Sequence, residues 1–195
     1  GTGIIDIYGQ SQAFYGINFI APVTNSTTGD MYLTIKSAKT SGDAIKITGS
    51  SSADYGVVFN YDNPKQLLAT GGGNIVIEGT AGGNFGLFLQ NQDILATSGD
   101  ITLKGGQRGT KFTSAGARLG SKPGSSITAS SSDILIQGDI FTVDTLSSGF
   151  VSSVSTTGSV TIEPFSDSFP SSHTLSPNLT LPASNGGLTI GKESN

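Results

Sequence analysis

One repeated sequence motif, called the phrase below, constrains the fold of this chain more than any other feature of its sequence. An aromatic residue and a glycine precede one alternating apolar strand, and Gly-Asp or Gly-Asn precedes a second strand after a short polar stretch. The first copy spans residues 15–19 and 29–33, and the third spans residues 85–89 and 99–103. In both copies the aromatic residue precedes the first apolar residue of the second strand by 16 positions. Such periodicity predicts stacked, near-identical units.

Three short apolar runs, separated by turns rich in Gly, Ser and Thr, make up one repeat. The first-strand column begins at Tyr15, Tyr55, Phe85 and Ala115. The second-strand column begins at Met31, Ile75, Ile101, Ile134, Val160 and Leu188. The third run occupies residues 67–70, 94–97 and 126–129. Three strands in about 26 to 33 residues predict an all-β parallel β-helix, or β-solenoid, of about six coils that stack about 4.8 Å apart.

Because side chains alternate across a strand, each column divides into inward and outward positions. The first and third apolar residues of the second strand, such as Ile75 and Ile77, are predicted to face inward. Six outward positions form the candidate contact surface: Asn18, Tyr32, Val58, Val76, Phe88 and Arg118. If uncovered, Phe88 beside Val58, and Tyr32 beside Val76, would be exposed apolar pairs, which can mark a surface for a partner or a stacked sugar ring. The interpretation that we favour is that a loop or the 42–47 segment covers these pairs.

Glycine and aspartate are predicted to make the corners between strands. The glycine of the pentad (Gly16, Gly56, Gly86, Gly116) fits a corner that needs a positive φ or a close backbone approach. Asp30, Asp100 and Asp133 fall in one column with Asn74 and Ser159. Aspartate just before a strand caps a turn by bonding its own backbone. We therefore predict turn capping for this column and no catalytic residues.

Two stretches depart from the repeat within what is otherwise a single segment over residues 1–195. Residues 37–50 are interpreted as an insertion or as an additional strand that protrudes from the stack. Residues 163–184 are rich in Pro and Ser, and they are interpreted as an excursion from the coils, because proline lacks the N–H that a ladder needs. Both ends of the sequence are strand-like, which predicts that the rest of a longer chain continues from each.

Composition excludes several classes of function. The net charge of −4 and the scattered lysines argue against a nucleic-acid partner, which needs clustered Lys or Arg. The sequence lacks an apolar run of 18 residues, so membrane insertion is not expected. Cys is absent and His173 is the one histidine, so we predict no metal site and no cofactor.

Residues 67–77 and 94–103, together with the closing residues 187–192, resemble the shafts of filamentous-haemagglutinin-like exoproteins. These are very large bacterial surface adhesins that are exported by two-partner secretion. The resemblance implies a right-handed β-helix, a Gram-negative cell surface and a role in adhesion or biofilm. The family's amino-terminal secretion domain has Asn-Pro-Asn signatures. This chain has Ser176-Pro177-Asn178 near its far end, so that role is not assigned to it.

The function expected from the sequence is structural and not enzymatic. The chain is predicted to be a stalk segment of a secreted or outer-membrane-associated cell-surface adhesin, with lateral contacts to host or biofilm glycans or to surface proteins. A carbohydrate-active β-helix enzyme, such as a tailspike-like depolymerase, is the first alternative, and three carboxylates within roughly 10 Å in an open groove would favour it. A glycan-binding module is the second alternative.

Overall fold

The computed structural model describes residues 2–20, 33–60, 65–90, 92–114, 126–145, 152–169, 179–180 and 186–192. Over these ranges the protein is all-β, with 18 strands and one short 3-10 turn. None of the described segments is a helix with the length and apolar character needed to cross a membrane.

The strands follow one another in a fixed order around the coils. The first coil contains β1 (Ile5–Ser11), β2 (Ile17–Ile20) and β3 (Leu33–Ser37), and the second contains β4 (Asp43–Ser51), β5 (Val57–Asn60) and β6 (Lys65–Ala69). The third contains β7 (Asn74–Ala81), β8 (Leu87–Gln90) and β9 (Gln92–Ala96), and the fourth contains β10 (Ile101–Lys104), β11 (Thr110–Ser114) and β12 (Ser126–Ala129). The fifth contains β13 (Ile134–Gln137), β14 (Phe141–Thr145) and β15 (Ser152–Thr156), and β16 (Val160–Glu163), β17 (Leu179–Thr180) and β18 (Leu188–Ile190) follow.

Neighbouring strands of each sheet come from successive coils and pair in parallel, so the predicted parallel β-solenoid is confirmed. Sheet A has the order β1-β4-β7-β10-β13-β16-β18, sheet B has the order β2-β5-β8-β11-β14, and sheet C has the order β3-β6-β9-β12-β15-β17. Five coils supply a strand to all three sheets, and the chain makes about four turns between β2 in the first of them and β14 in the last. The sequence predicts six coils, so the structure has slightly fewer coils than predicted.

The core lies inside the coils and consists of stacked rows of apolar side chains. In sheet A one such row contains Ile45, Ile75, Ile101 and Ile134. In sheet C the corresponding row contains Leu67, Ile94, Ile127 and Val154. All eight side chains are buried, which the alternation of the sequence predicted for Ile75, Ile101 and Ile134. Full burial of such a side chain contributes about 1.5–3 kcal/mol, so these rows are the main source of stability.

Residues 37–50 are not an insertion, and the structure corrects that interpretation. Most of this stretch forms β4, which lies in sheet A between β1 and β7 and pairs Ile45 with Ile75. Gly42, with φ of 60°, makes the corner before it. The error came from the first copy of the phrase, because Leu33 lies in sheet C opposite Lys65, and not in the second-strand column. Met31 and Asp30 lie outside the described residues.

The fourth strand of sheet B is also displaced from its predicted position. It is β11, in which Thr110 lies opposite Leu87 and Lys111 lies opposite Phe88. The sequence assigned these positions to the copy that begins at Ala115. The corner before β11 is a three-residue 3-10 turn (Gly106–Arg108), so the aromatic-Gly spacing of the earlier copies no longer marks the strand. Ala115 and Arg118 lie outside the described residues.

The Pro/Ser-rich stretch at 163–184 contains one strand of the solenoid. Leu179 and Thr180 form β17, which pairs with Ser152 and Ser153 in sheet C. Pro164 is buried directly after β16, whereas residues 165–168 are exposed. The remaining residues of the stretch, 170–178 and 181–184, lie outside the described residues.

Candidate functional site

Three loops project from the corner between sheets A and B in the first three coils. These corner loops are residues 12–15, 52–55 and 82–85, and each is closed at its base by two glycines. A Cβ on Gly79 would lie 1.9 Å from the Gly86 carbonyl oxygen, and a Cβ on Gly49 would lie 2.3 Å from that of Gly56. Glycine is therefore needed there because two backbones approach closely, which was one of the two predicted reasons.

Side-chain hydrogen bonds hold the corner loops in shape. The Ser11 Oγ accepts a hydrogen bond from the Phe14 N–H at 3.0 Å, and the Ser51 Oγ accepts one from the Asp54 N–H at 2.9 Å. The Ser51 hydroxyl also donates to the Phe14 carbonyl of the preceding loop. The Asn84 Nδ2 donates to the Asp54 Oδ1 at 2.6 Å. These contacts link each loop to the next, so the three loops form one ordered ridge along the solenoid.

An aromatic row runs beside this ridge on the outer face of sheet B. It consists of Tyr15, Tyr55 and Phe88, with ring centroids 5.8 Å apart for the first pair and 5.3 Å apart for the second. The Lys111 Nζ lies 5.5 Å from the centroid of the neighbouring Phe85 ring. Burial, and then the charges of Asp54 and Tyr15, raise the pKa of Tyr55 above its ordinary value. Tyr55 therefore keeps its hydroxyl proton near neutral pH and can donate a hydrogen bond.

The structure separates the six predicted contact residues. Asn18, Val58 and Phe88 occupy one outward row of sheet B, and Val58 is covered there, with 1% of its surface exposed, in agreement with the favoured interpretation for this residue. Asn18 and Phe88 are half-buried, and among the described residues the Asn18 Oδ1 has no hydrogen-bond partner. Val76 is half-buried on sheet A, a different face of the solenoid, next to Lys46 and Thr102. Tyr32 and Arg118 lie outside the described residues, and a contact role for any of the six stays a prediction.

Tyr15 and Tyr55 are surface residues that the sequence argument missed. Each is the aromatic residue of the pentad, and that position was interpreted as part of a corner. The sequence feature that could have identified them is an aromatic residue that recurs just before the first strand of the repeat, at positions 15, 55 and 85. In a solenoid, residues at equal positions of successive coils lie close together, so repeated aromatic residues at a corner predict ring contacts.

A groove with a volume of 520 Å³ lies on the outer face of sheet A over the last coils. Leu135, Thr161 and Thr189 line it between Asp133 on one side and Glu163 on the other. Asp133 and Glu163 are the two carboxylates of its described lining, one fewer than the three carboxylates that would favour the enzyme alternative.

Asp100 and Asp133 cap corners by bonding the backbone of the following coil, and not the backbone of their own turn as predicted from the sequence. The Asp100 Oδ1 accepts a hydrogen bond from the Asp133 N–H at 3.1 Å. The Asp133 Oδ1 accepts hydrogen bonds from the Ser159 N–H at 2.8 Å and from its hydroxyl at 2.7 Å. These bonds lower the pKa of Asp133 below its ordinary value. Each carboxylate thus satisfies backbone donors of the following coil.

The remaining side chains that could take part in catalysis or metal binding are not clustered in the described part of the chain. No group of three or more His, Cys, Asp or Glu residues is placed there to hold a metal ion. The one exposed ion pair among these residues joins the Lys104 Nζ to the Glu78 Oε1 at 3.1 Å on sheet A. Such a pair contributes about 0–1 kcal/mol. His173 lies outside the described residues.

Comparisons with protein-family models, with curated proteins and with solved structures gave no match to this chain. Inferences about its function therefore depend on its own residues. Three features are available for that purpose: the parallel register of the three sheets, the ridge of corner loops with its aromatic row, and the groove on sheet A.

Proposed function

We propose that this chain is a structural stalk segment of a secreted or cell-surface bacterial adhesin, as its resemblance to filamentous-haemagglutinin-like shafts suggests. The observation that supports this most is the register of sheet A. One inner row runs from Ile5 through Ile45, Ile75 and Val160 to Leu188 without a shift of register at these residues. A repeated row of this kind produces a rod with little variation in cross-section, which is what a stalk requires.

The direction of the hydrogen bonds supports a mechanical role. In parallel sheets the inter-strand bonds run along the solenoid axis, perpendicular to the strands. Bonds between corners add to them, for example from the Ile101 N–H to the Asp133 carbonyl at 3.0 Å and from the Val57 N–H to the Gly86 carbonyl at 2.8 Å. A pull along the axis therefore loads many short bonds in each coil at once.

Stretching single molecules between their ends tests the stalk function. We expect the chain to lengthen in steps of about 10 nm, because each coil has about 30 residues and an extended residue spans about 3.5 Å. A variant with Ile77→Ala, in the interior row of β7, should lower the force of the steps without changing their length. Release of the whole chain in a single step would contradict the proposal.

The aromatic row favours a second function, lateral binding of glycans. Tyr15, Tyr55 and Phe88 are half-buried and present ring surface beside the Tyr55 hydroxyl. Aromatic rings pack against the apolar C–H face of a sugar while a hydroxyl bonds its polar edge. The row follows the solenoid axis, so a linear polysaccharide lying along the rod would meet successive rings.

A glycan array with matched variants tests the lateral contact. Tyr55→Ala should reduce binding of any bound glycan by about tenfold or more, whereas Phe165→Ala removes an exposed aromatic ring elsewhere and should leave binding unchanged. Equal losses in both variants, or binding that is insensitive to Tyr55→Ala, would exclude the aromatic row as the glycan site. The stalk function would be unaffected by that result.

A further inference from the structure

Two tyrosines at equal positions of successive coils have their rings side by side. Tyr15 in the first corner loop and Tyr55 in the second have ring centroids 5.8 Å apart and ring planes inclined at 44°. They lie 40 positions apart in the sequence, so the stacking of the coils brings them together. Phe88 continues the aromatic row at 5.3 Å from Tyr55, but it has no hydroxyl group. Tyr15 and Tyr55 are therefore the one pair of neighbouring phenols among the described residues.

The backbone holds the two tyrosines at this spacing. The Gly16 N–H, directly after Tyr15, donates a hydrogen bond to the Tyr55 carbonyl at 3.0 Å. The Ile17 N–H donates to the Gly56 carbonyl at 2.9 Å. The two side chains therefore stay adjacent as long as the coils stay stacked. Both are half-buried, so part of each ring remains within reach of small solutes.

Tyrosine is also the side chain of this protein that gives up one electron most readily. The sequence contains neither tryptophan nor cysteine, the usual competitors, and it has one methionine. Methionine reacts with oxidants by taking up oxygen as a sulfoxide. Tyr8, the third tyrosine of the described residues, is 69% exposed on the outer face of sheet A, and its ring contacts no other described aromatic ring. Tyrosyl radicals formed at Tyr15 and Tyr55 are thus the ones with a partner at hand.

We propose that Tyr15 and Tyr55 form a modification site, at which oxidation by a peroxide joins the two side chains as dityrosine. Radicals generated from the peroxide remove one electron from each phenol, and the two hydroxyl protons pass to water. The two tyrosyl radicals then form a carbon–carbon bond between the ring carbons next to the hydroxyl groups. The hydrogens on those carbons move to the two oxygens, which restores both phenols. The protein loses two electrons and two protons in total, and the O–O bond of the peroxide accepts the two electrons and breaks.

Proximity favours this product over cross-links between molecules. Two reacting groups held side by side have an effective concentration far above that of any dissolved partner. A direct bond requires the ring centroids to come closer than 5.8 Å, and the half-buried side chains have room to turn toward each other. The bond ties the first coil to the second, so a pull along the axis cannot separate them. This outcome suits the proposed stalk but does not depend on it.

Oxidation in dilute solution followed by peptide mass spectrometry tests the site. Light-activated persulfate is a suitable peroxide because its radicals are small. The wild-type chain should give a monomer that is lighter by two hydrogen atoms, with the fluorescence of dityrosine and with the peptides of Tyr15 and Tyr55 joined. Tyr15→Phe and Tyr55→Phe keep the rings and should each abolish this product. Tyr8→Phe removes the exposed phenol on sheet A and is the matched control, so it should cross-link like the wild type.

The same reaction in urea shows whether the fold directs the coupling. Because the unfolded chain does not hold the two phenols together, the yield of the Tyr15–Tyr55 product should fall about tenfold or more. Equal yields from the folded and the unfolded chain overturn the proposal. A wild-type chain that forms no dityrosine within the monomer, or a product that persists in Tyr55→Phe, also overturns it.

Single-molecule stretching measures the cross-link independently of its chemistry. The oxidised wild-type chain should be shorter at full extension by about 14 nm, because 40 positions no longer extend and each spans about 3.5 Å. Tyr55→Phe treated in the same way should reach the full length. Unchanged length after oxidation contradicts the cross-link, whereas the stalk proposal depends on stepwise release of the other coils. Each proposal can therefore fail without the other.

Discussion

The first three coils and the next two share their inner rows but differ at the corner between sheets A and B. In the first three coils the corner is a projecting loop closed by two glycines, such as Gly79 and Gly86. In the fourth coil it is a short turn with Gly106 and Gly109 at positive φ. Leu87 and Thr110 are nevertheless in register across this change. The comparison shows that buried rows determine the register, whereas a corner that projects into solvent can change its length.

The largest expected effect is at the glycines that close the corner loops. In Gly86→Ala the new Cβ would lie 2.0 Å from the Gly105 carbonyl oxygen and 2.4 Å from that of Gly79. Backbone on both sides leaves little room to relax, so we expect a loss of more than about 3 kcal/mol in the free energy of unfolding. Urea denaturation measures this. Gly3→Ala, where a Cβ has nothing within 4 Å, is the control, and equal effects at the two sites would refute the close-approach argument.

The fourth coil should respond differently because its corner depends on a dihedral angle. Gly106 has φ of 58°, and the nearest atom to a Cβ there is 3.5 Å away. Gly106→Ala should therefore lower the free energy of unfolding by about 1–2 kcal/mol, the strain of a left-handed residue. Gly106→Asn should recover part of this loss, because asparagine tolerates that region. A loss as large as that in Gly86→Ala would remove the distinction between the two kinds of corner.

An inner position of the fourth coil offers a stabilising change. Thr110 is 0% exposed, and its Oγ1 is buried without a hydrogen-bond partner among the described residues. Thr110→Val keeps the shape and removes the unsatisfied hydroxyl, so it should stabilise the fold by about 1 kcal/mol. Thermal unfolding compared with Thr102→Val, at a half-buried outward position, checks the effect. Destabilisation by Thr110→Val would show that the hydroxyl has a partner.

The smallest effect concerns the aspartate caps, and it depends on pH. The pKa of Asp133 is lower in the folded protein than its ordinary value of 3.8. Its contribution to stability is therefore present above that ordinary value and is lost as the pH falls through the lowered folded pKa. Asp133→Ala should be about 0.5 kcal/mol less stable than the wild type at pH 7.

In urea denaturation, the difference in the free energy of unfolding between wild type and Asp133→Ala should be smaller at pH 2.5 than at pH 7. Asp133→Asn keeps an acceptor oxygen but does not titrate, so the difference in the free energy of unfolding between Asp133→Asn and Asp133→Ala should not change with pH. A wild-type advantage that grows on acidification would contradict the assignment of the cap.

Much of the architecture could be predicted from the period of the sequence. The alternation at Ile75 and Ile77 and at Ile101 and Leu103 predicted the buried rows, because a one-residue slip would turn every such side chain outward. The position of Asp100 and Asp133 directly before strands predicted that they cap corners, but not that their partners lie in the following coil. The position of the fourth strand of sheet B could not be predicted, because it was inferred from its distance to a preceding corner, and that corner is shorter in the fourth coil.

The candidate surface was less predictable than the fold. Alternation places Val58 outside, yet it is buried, because burial on an outer face depends on what other parts of the chain cover it. The aromatic row joins Tyr15, Tyr55 and Phe88, which are up to 73 positions apart in the sequence. Their contact depends on how far each corner loop projects, and alternation within one strand contains no information about that.

The sequence by itself determined that this chain forms three parallel sheets around an apolar interior, because a repeated local pattern can be satisfied only by stacking it on its own copies. Only the tertiary structure decided which residues occupy each row where copies differ, as for β4 and β11. It also decided which outer side chains are covered, as for Val58. These properties depend on contacts between distant coils, and the pattern within one coil does not specify them.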